Sequence, residues 1–169
     1  GDEVVLFDGK NLDAFAAHLN DGKQLADVWS IVDGVLLCKG QPAGYIYTKA
    51  TYESYVLKLQ WRFNPHKGGG NSGVLLRTTG EHRVWPRSIE AQLQSGNAGD
   101  FWNIGEFPMQ TEVSRAKGRN TKKTHANEKP IGEWNQYEIV VDGSWVRLSV
   151  NGQVLNEAWG CEVIPGHIC

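Results

Sequence analysis

A short row of polar side chains in residues 88–94 is the strongest candidate for chemistry in this chain. In the stretch SIEAQLQ, apolar residues alternate with a second set that consists of Glu90, Gln92 and Gln94. Neighbouring side chains of a β-strand point to opposite faces, so these three residues are predicted to share one face. That face is either the floor of a binding or catalytic cleft or the solvated side of a sheet.

Two further segments predict strands with one apolar and one polar face, residues 54–63 and 71–78. If these strands neighbour 88–94, their polar side chains form one surface spaced at about 6.6 Å along a strand and about 4.8 Å between strands, the scale of a sugar ring. Arginine and amide groups suit such a surface because they form paired hydrogen bonds with hydroxyls and carbonyls. The alternative is an exposed sheet face with cross-strand ion pairs. The polar residues of the two segments are Lys58, Gln60, Arg62 and Arg77.

The supply of carboxylates limits the reaction type. Glycosidases usually need two, one as acid and one as nucleophile or base. Here Glu90 is accompanied by amides, which cannot ionise, and Asp100 could approach only from the following loop. The pattern therefore disfavours ordinary glycoside hydrolysis, including that of a retaining β-glucanase.

Histidine and cysteine spacing predicts no metal site. The five His have no metal-ligand spacing, and the three Cys allow at most one internal disulfide, whose pairing stays undecided. His82 lies in a loop after the segment with Arg77. The basic stretch 114–130 is expected to be a solvated surface loop; the alternative is a flap that brings Lys123 or His125 to a site.

Length and composition indicate one domain, residues 1–169, of an all-β protein. The net charge of −2 gives no reason to expect nucleic-acid binding, and no apolar run is long enough for a transmembrane segment. Short strands separated by turns predict a β-sandwich or jelly roll, with a hairpin around Asp33-Gly34. The best helix candidate is 11–19. The sequence admits a homo-oligomer without determining it.

Several motifs together make the sequence recognisable. LFDGKNLDAF, LKLQWRF followed by GGNSGVLLR, SIEAQLQ with AGDFWNIG, and KPIGEWNQYEIVVDG occur in this order. The chain resembles the 3-keto-disaccharide hydrolase family, which implies a concanavalin A-like jelly roll over about residues 4–168. The resemblance also implies an exported, periplasmic or cell-surface protein of bacteria. Compared with that family, the chain is expected to be truncated and to lack its final strand or strands.

The resemblance implies an activity that needs only one carboxylate. A ketone at sugar carbon 3 acidifies the hydrogen on carbon 2, so that one base can start a β-elimination or assist hydrolysis of a 3-keto-glycoside. No cofactor is required, although the family admits a divalent cation such as calcium. The rival interpretation is a non-catalytic carbohydrate-binding module that holds an oligosaccharide. The implied catalytic residues are Glu90 as base with Arg77 and Arg62 as stabilisers, and the implied substrate-binding residues are Lys58, Gln60, Gln92, Gln94, Asp100, Trp102, His82 and His125.

Overall fold

A computed structural model describes all 169 residues, and β-strands dominate it. Helices are limited to one α-helix, α1 (Leu25–Val28), and 3₁₀ turns at Asn20–Gly22, Pro65–Lys67 and Val113–Arg115. None of these helices has the length and apolar character that crossing a bilayer requires. The strands are β1 (Phe15–Leu19), β2 (Trp29–Val32), β3 (Val35–Cys38), β4 (Gly44–Thr48), β5 (Tyr55–Trp61), β6 (Gly73–Thr79), β7 (Arg87–Gln92), β8 (Phe101–Ile104), β9 (Gln110–Thr111), β10 (Ala116–Lys117), β11 (Asn120–Thr121), β12 (Asn135–Asp142), β13 (Trp145–Val150) and β14 (Gln153–Trp159).

Two five-stranded antiparallel sheets form a sandwich. The front sheet has the strand order β10-β11-β8-β7-β6, and the back sheet has the order β5-β12-β13-β14-β9. Smaller pairs, β1 with β4 and β2 with β3, complete the fold. The all-β jelly-roll sandwich predicted from the sequence is confirmed.

The hydrophobic core lies between the two sheets. Ile89 and Ala91 of the front sheet and Ile139 and Leu148 of the back sheet are fully buried in one continuous cluster. Because side chains alternate along a strand, each strand sends every second residue into this core. Glu90, which lies between Ile89 and Ala91, therefore points to the outer face of the front sheet.

Strand β5 does not lie beside β6. It pairs with β12 in the back sheet, from Tyr55 opposite Val141 to Trp61 opposite Asn135. The prediction that all three polar segments neighbour one another is therefore wrong for residues 54–63, whereas β6 and β7 do pair. An alternating pattern shows that a strand has two different faces, but it does not identify the strand's neighbour.

The last four residues extend the front sheet beyond β6. The backbone groups of Leu75 and Cys169 exchange hydrogen bonds at 2.8 and 3.0 Å, and the Thr48 N–H donates to the Ile168 carbonyl at 2.9 Å. Residues 166–169 thus connect β6 to the end of β4. This connection brings β4 and β1 to the same side of the molecule as β7.

Of the two local elements predicted from the sequence, the hairpin is present and the helix is not. The hairpin around Asp33-Gly34 is confirmed, with β2 paired to β3 and positive φ values of 51° and 74° at the two turn residues. The helix predicted at 11–19 is wrong, because Phe15–Leu19 pairs with β4 along its whole length. A weak helical periodicity is easily overridden when the backbone finds a partner strand.

Candidate functional site

The outer face of the front sheet carries an isolated buried carboxylate, Glu90. Its strand β7 is central, and its cross-strand neighbours are Leu75 on β6 and Trp102 on β8. The carboxylate lies over Gly73, where an added Cβ would approach Glu90 Oε2 to 2.5 Å. Glu90 is only 7% exposed. The absence of a side chain at Gly73 therefore creates the space that Glu90 occupies.

Burial raises the pKa of Glu90 to about 7, because the charged form loses its hydration and no nearby charge or hydrogen bond compensates. A carboxyl group with a pKa near neutrality is partly ionised at physiological pH and holds an abstracted proton well. These are the properties of a general base or acid. Strongly shifted carboxyl groups also cluster at functional sites.

A buried ion pair lies farther along the front sheet, where the Gln92 N–H donates to the Asp100 carbonyl at 2.9 Å. Asp100 accepts a hydrogen bond from the Lys123 backbone N–H at 2.9 Å, and its carboxylate lies 3.5 Å from Lys123 Nζ. Both side chains are largely buried. Asp100 is thus occupied by Lys123 and does not act as a second free carboxylate. Part of the segment 114–130, expected to be a surface loop, forms β10 and β11 at the sheet edge and brings Lys123 here.

An amide and an indole complete this part of the face. The Gln92 Oε1 accepts hydrogen bonds from the backbone N–H groups of Leu93 and Gln94, which leaves the Gln92 NH₂ group free to donate. Trp102 is 38% exposed directly beside Glu90. An exposed indole next to polar groups offers an apolar surface for the C–H face of a sugar ring.

Aromatic rings and histidines cluster beyond Leu75, on the β6 side of Glu90. Tyr45 packs against Leu75, the cross-strand neighbour of Glu90, and the Tyr45 hydroxyl lies 2.8 Å from His82 Nδ1. Tyr47 stacks on His82 with ring centroids 4.2 Å apart. His18 and His167 also neighbour His82. Of this cluster, sequence reasoning identified only His82, because β1 and β4 reach the site through non-local pairing.

Burial and neighbouring groups set the protonation states of Tyr45 and His82. Burial raises the pKa of Tyr45 to about 12, so the hydroxyl keeps its proton at neutral pH. Burial, together with repulsion from His167 and His18, lowers the pKa of His82. Near pH 7 the pair is therefore an uncharged hydrogen-bonded unit that can pass a proton.

Residues 2–162 match the model of the 3-keto-alpha-glucoside-1,2-lyase-like domains. The chain belongs to this family. No curated protein sequence matches it. This result confirms the family that the sequence motifs resemble. The domain is therefore a member of a carbohydrate-active family.

Solved structures with the same fold support the family's architecture. Two proteins of Parabacteroides distasonis, both provisionally named glycosyl hydrolases, superpose with TM-scores of 0.64 and 0.61. The first is 22% identical over 91% of this chain and 71% of that protein, and the second is 25% identical over 88% and 68%. A carbohydrate-binding module of Bacillus subtilis, CBM66, has a TM-score of 0.60 at 7% identity, over 92% of this chain and 84% of the module. At 22% and 7% identity, the likeness concerns the fold alone.

In this lyase-like domain, Arg77 does not share a surface with Glu90, contrary to the prediction. The register between β6 and β7 shifts after Leu76, and Arg77 has a φ of 51°. This β-bulge turns the side chain into the interior, where it is fully buried. The guanidinium donates to the backbone carbonyls of Glu53, Gly143 and Glu162. Its contacts are those of a structural residue.

The polar residues of β5 are also separated from Glu90, because they lie on the outer face of the back sheet. Lys58 pairs with Glu138 across strands at 3.9 Å, and Gln60 lies opposite Gln136. Arg62, just after β5, stacks over the Trp134 ring at 4.8 Å. The structure thus agrees with the alternative interpretation for residues 54–63, which is an exposed sheet face with cross-strand ion pairs. Arg62, Lys58 and Gln60 are thus not brought to the Glu90 site.

Two other predicted ligand contacts lie at the periphery of the lyase-like domain. Gln94 follows β7 and accepts a hydrogen bond from the Asn97 side chain within the next turn. His125 is exposed and lies 2.6 Å from Gln153 Oε1 of the back sheet. Neither residue is adjacent to Glu90. The structure brings together Glu90, Gln92, Asp100, Trp102 and, through Tyr45, His82.

The divalent cation that the sequence resemblance admits finds no ready set of ligands here. No group of three or more His, Cys, Asp and Glu side chains is arranged to hold a metal ion. On the Glu90 face the second carboxylate, Asp100, is engaged with the Lys123 cation. These residues therefore do not fit a hard cation, which takes about six to eight oxygen ligands. The three cysteines are all free thiols.

Proposed function

We propose that this domain cleaves 3-keto-glycosides by β-elimination, with Glu90 as the base. The observation that supports this most directly is the isolated Glu90 carboxylate, buried on the outer face of the front sheet with its pKa raised to about 7. A single base suffices when the substrate already carries a ketone at carbon 3. The family name, which refers to a 1,2-lyase acting on 3-keto-alpha-glucosides, agrees with this chemistry.

The reaction moves a proton from carbon 2 to Glu90, breaks the bond between carbon 1 and the glycosidic oxygen, and delivers a proton to that oxygen. Glu90 takes the proton from carbon 2, and the electron pair moves into an enolate conjugated with the carbon 3 oxygen. The enolate then expels the glycosidic oxygen from carbon 1 and forms a double bond between carbons 1 and 2. The products are a 1,2-unsaturated 3-keto sugar and an alcohol, and water added to the double bond gives the hydrolysis product. A positioned general base typically contributes about 10²–10⁴-fold to such a step.

Two hydrogen-bond donors farther along this face, at the level of Gln92, are suited to stabilising the enolate oxygen. Lys123 contributes a cation whose position is set by Asp100, and Gln92 contributes its free NH₂ group. In a site partly shielded from water, such donors act more strongly than in bulk solvent. Lys123 and Gln92 thus take the role that the sequence motifs suggested for Arg77 and Arg62.

The leaving alkoxide needs a proton, and the Tyr45–His82 pair, in which Tyr45 packs on Leu75 opposite Glu90, is an uncharged unit that can supply one. The two groups are already hydrogen-bonded at 2.8 Å. His82 can donate a proton to the departing oxygen and recover one from Tyr45 or solvent. Trp102 would hold the sugar ring by stacking against its C–H face.

Incubation with matched pairs of 3-keto-glucosides and ordinary glucosides tests the proposal. We expect consumption of the keto sugars only, because an ordinary glucoside has no acidified hydrogen on carbon 2. Mass spectrometry should detect the unsaturated product or its hydrate together with the free alcohol. Binding of both sugar types without any product would instead identify a non-catalytic carbohydrate-binding module.

The pH dependence should follow Glu90. Since the base must be ionised, kcat/KM for a 3-keto-glucoside is expected to rise with pH and to level off above a midpoint at about 7. An ordinary exposed Glu would give a midpoint near 4.5. A pH–rate profile measures this midpoint, and a flat profile between about pH 6 and 8 would contradict the assignment of Glu90 as base.

Gly73→Ala should displace the base without unfolding the domain. The new Cβ would lie 2.5 Å from Glu90 Oε2 and 2.9 Å from its Cδ, so the carboxylate must move. Because a displacement of about 1 Å can cost about 100-fold in rate, we expect kcat to fall at least about 10-fold. Steady-state kinetics and thermal unfolding measure the two effects.

Gly69→Ala is a matched control for this substitution. Its Cβ would lie 2.8 Å from Ser95 Oγ, a steric conflict of similar severity that does not involve Glu90. We expect this variant to keep kcat within about 2-fold, as it leaves the geometry of the base unchanged. Equal losses of activity in both variants would show that Gly73 has no specific positioning role.

A further inference from the structure

A second polar and aromatic hollow lies at the edge of the sandwich formed by β9, β10 and β14, away from Glu90. Two adjoining depressions, of about 460 and 230 Å³, meet at Trp159 and Glu112. We propose that this hollow binds a neutral oligosaccharide chain and holds it without cleaving it. The site is separate from the proposed reaction and does not depend on it.

Strand geometry points the Trp159 side chain away from the Glu90 site. Ala158 of β14 is fully buried in the core between the sheets, so its neighbour Trp159 points outward from the back sheet. Gln110 on β9 lies directly opposite Trp159 and shares that outer face. Glu90 points outward from the front sheet. The hollow also takes in Ala116 of β10, so it lies at an edge of the sandwich, three strands away from the strand β7 that carries Glu90.

The size and shape of the hollow suit one or two sugar rings. The larger depression falls in the range of about 300–1,000 Å³ that is usual for small-molecule sites. The Trp159 side chain is 43% exposed at its border, and Val113 is exposed beside it. The indole offers the flat apolar surface on which the C–H face of a sugar packs.

Polar groups around the indole are fixed in position before a ligand arrives. The Arg115 guanidinium donates to the Lys122 carbonyl at 2.9 Å and to Asn156 Oδ1 at 3.3 Å. Glu112 accepts hydrogen bonds from the Ser114 N–H and hydroxyl, and these bonds lower the pKa of Glu112 below its ordinary value. An ionised acceptor and an oriented donor thus flank Trp159, and such preorganisation reduces the entropy cost of binding.

The charge of the hollow selects a neutral ligand. Glu112 and Glu157 provide two carboxylates against the single guanidinium of Arg115. An acidic sugar or a phosphate would meet net repulsion here, whereas hydroxyl groups can both donate to carboxylates and accept from the guanidinium. The hydrogen bonds from Ser114 lower the pKa of Glu112, so this group acts as an ionised acceptor for sugar hydroxyls, and we expect it to bind a ligand without cleaving it.

Titration with cellohexaose, maltohexaose and xylohexaose tests the site on the full chain. Indole N–H resonances of the tryptophans report binding, and Trp159→Phe assigns the Trp159 signal. We expect at least one hexasaccharide to shift that signal saturably, and Trp159→Ala to weaken its binding about 10-fold, which corresponds to about 1.4 kcal/mol. Trp134→Ala removes a similarly exposed indole outside the hollow and should change the affinity less than about 2-fold.

The proposal is overturned if no hexasaccharide at about 10 mM shifts the Trp159 signal. It is equally overturned if Trp134→Ala weakens binding as much as Trp159→Ala does. A Trp159 signal that changes with protein concentration alone would assign the hollow to self-association. Glu90→Gln should leave hexasaccharide binding unchanged, so a failure of the proposed reaction would not be mistaken for a failure of this site.

Discussion

Replacing Glu90 with Gln should lower kcat for a 3-keto-glucoside by about 10²–10⁴-fold, the usual contribution of a positioned general base. Gln has nearly the same shape but cannot accept the proton from carbon 2. No hydrogen bond in the folded chain depends on the carboxylate, as burial alone accounts for its shifted pKa. We therefore expect the loss of rate without a loss of folding.

The stability of the same variant gives a second, independent measurement. A raised pKa in the folded state means that the folded chain binds the Glu90 proton more tightly than the unfolded chain. The free energy of unfolding of the wild type should consequently fall as pH rises from about 4.5 through about 7. Glu90→Gln lacks this loss, so its melting temperature should exceed that of the wild type at pH values above about 7 and approach it in mild acid.

Glu138→Gln provides a matched control. Glu138 is a partly exposed carboxylate on the back sheet that pairs weakly with Lys58 and Arg147. The same chemical change there should leave kcat within about 2-fold and stability within about 1 kcal/mol. If Glu90→Gln turned over a 3-keto-glucoside at nearly the wild-type rate, Glu90 would be excluded as the base.

Arg77→Met should destabilise the domain by about 3–5 kcal/mol, because it leaves three backbone carbonyls without the buried guanidinium that donates to them. Met restores much of the side-chain volume but supplies no donors. The carbonyls of Glu53, Gly143 and Glu162 would then lose their partner, at about 1–3 kcal/mol for each buried acceptor that finds no water. Urea denaturation followed by Trp fluorescence measures the change.

Arg62→Met distinguishes this structural role from a general effect of losing an arginine. Arg62 is exposed, and its contacts are a stacking on Trp134 and a long hydrogen bond to the Gly132 carbonyl. We expect this control to cost less than about 1 kcal/mol. A stable Arg77→Met variant that had lost its activity would return Arg77 to the catalytic residues.

Local sequence determined those features that depend on neighbouring residues. The alternation in 88–94 was sufficient to place Glu90 opposite Ile89 and Ala91, since the period of two is a property of any extended strand. The Asp33-Gly34 hairpin was predictable because its turn requires positive φ at both positions. The run of motifs was likewise enough to identify the family.

Tertiary structure decided which elements meet. The pattern of β5 is equally compatible with either sheet, and only its pairing with β12 separates Lys58, Gln60 and Arg62 from Glu90. The β-bulge at Arg77 shifts the alternation by one residue and exchanges the two faces, an effect that the residue types do not reveal. Tyr45 and Lys123 reach the Glu90 face through contacts distant in sequence, which a period along the chain cannot encode because it describes one strand at a time.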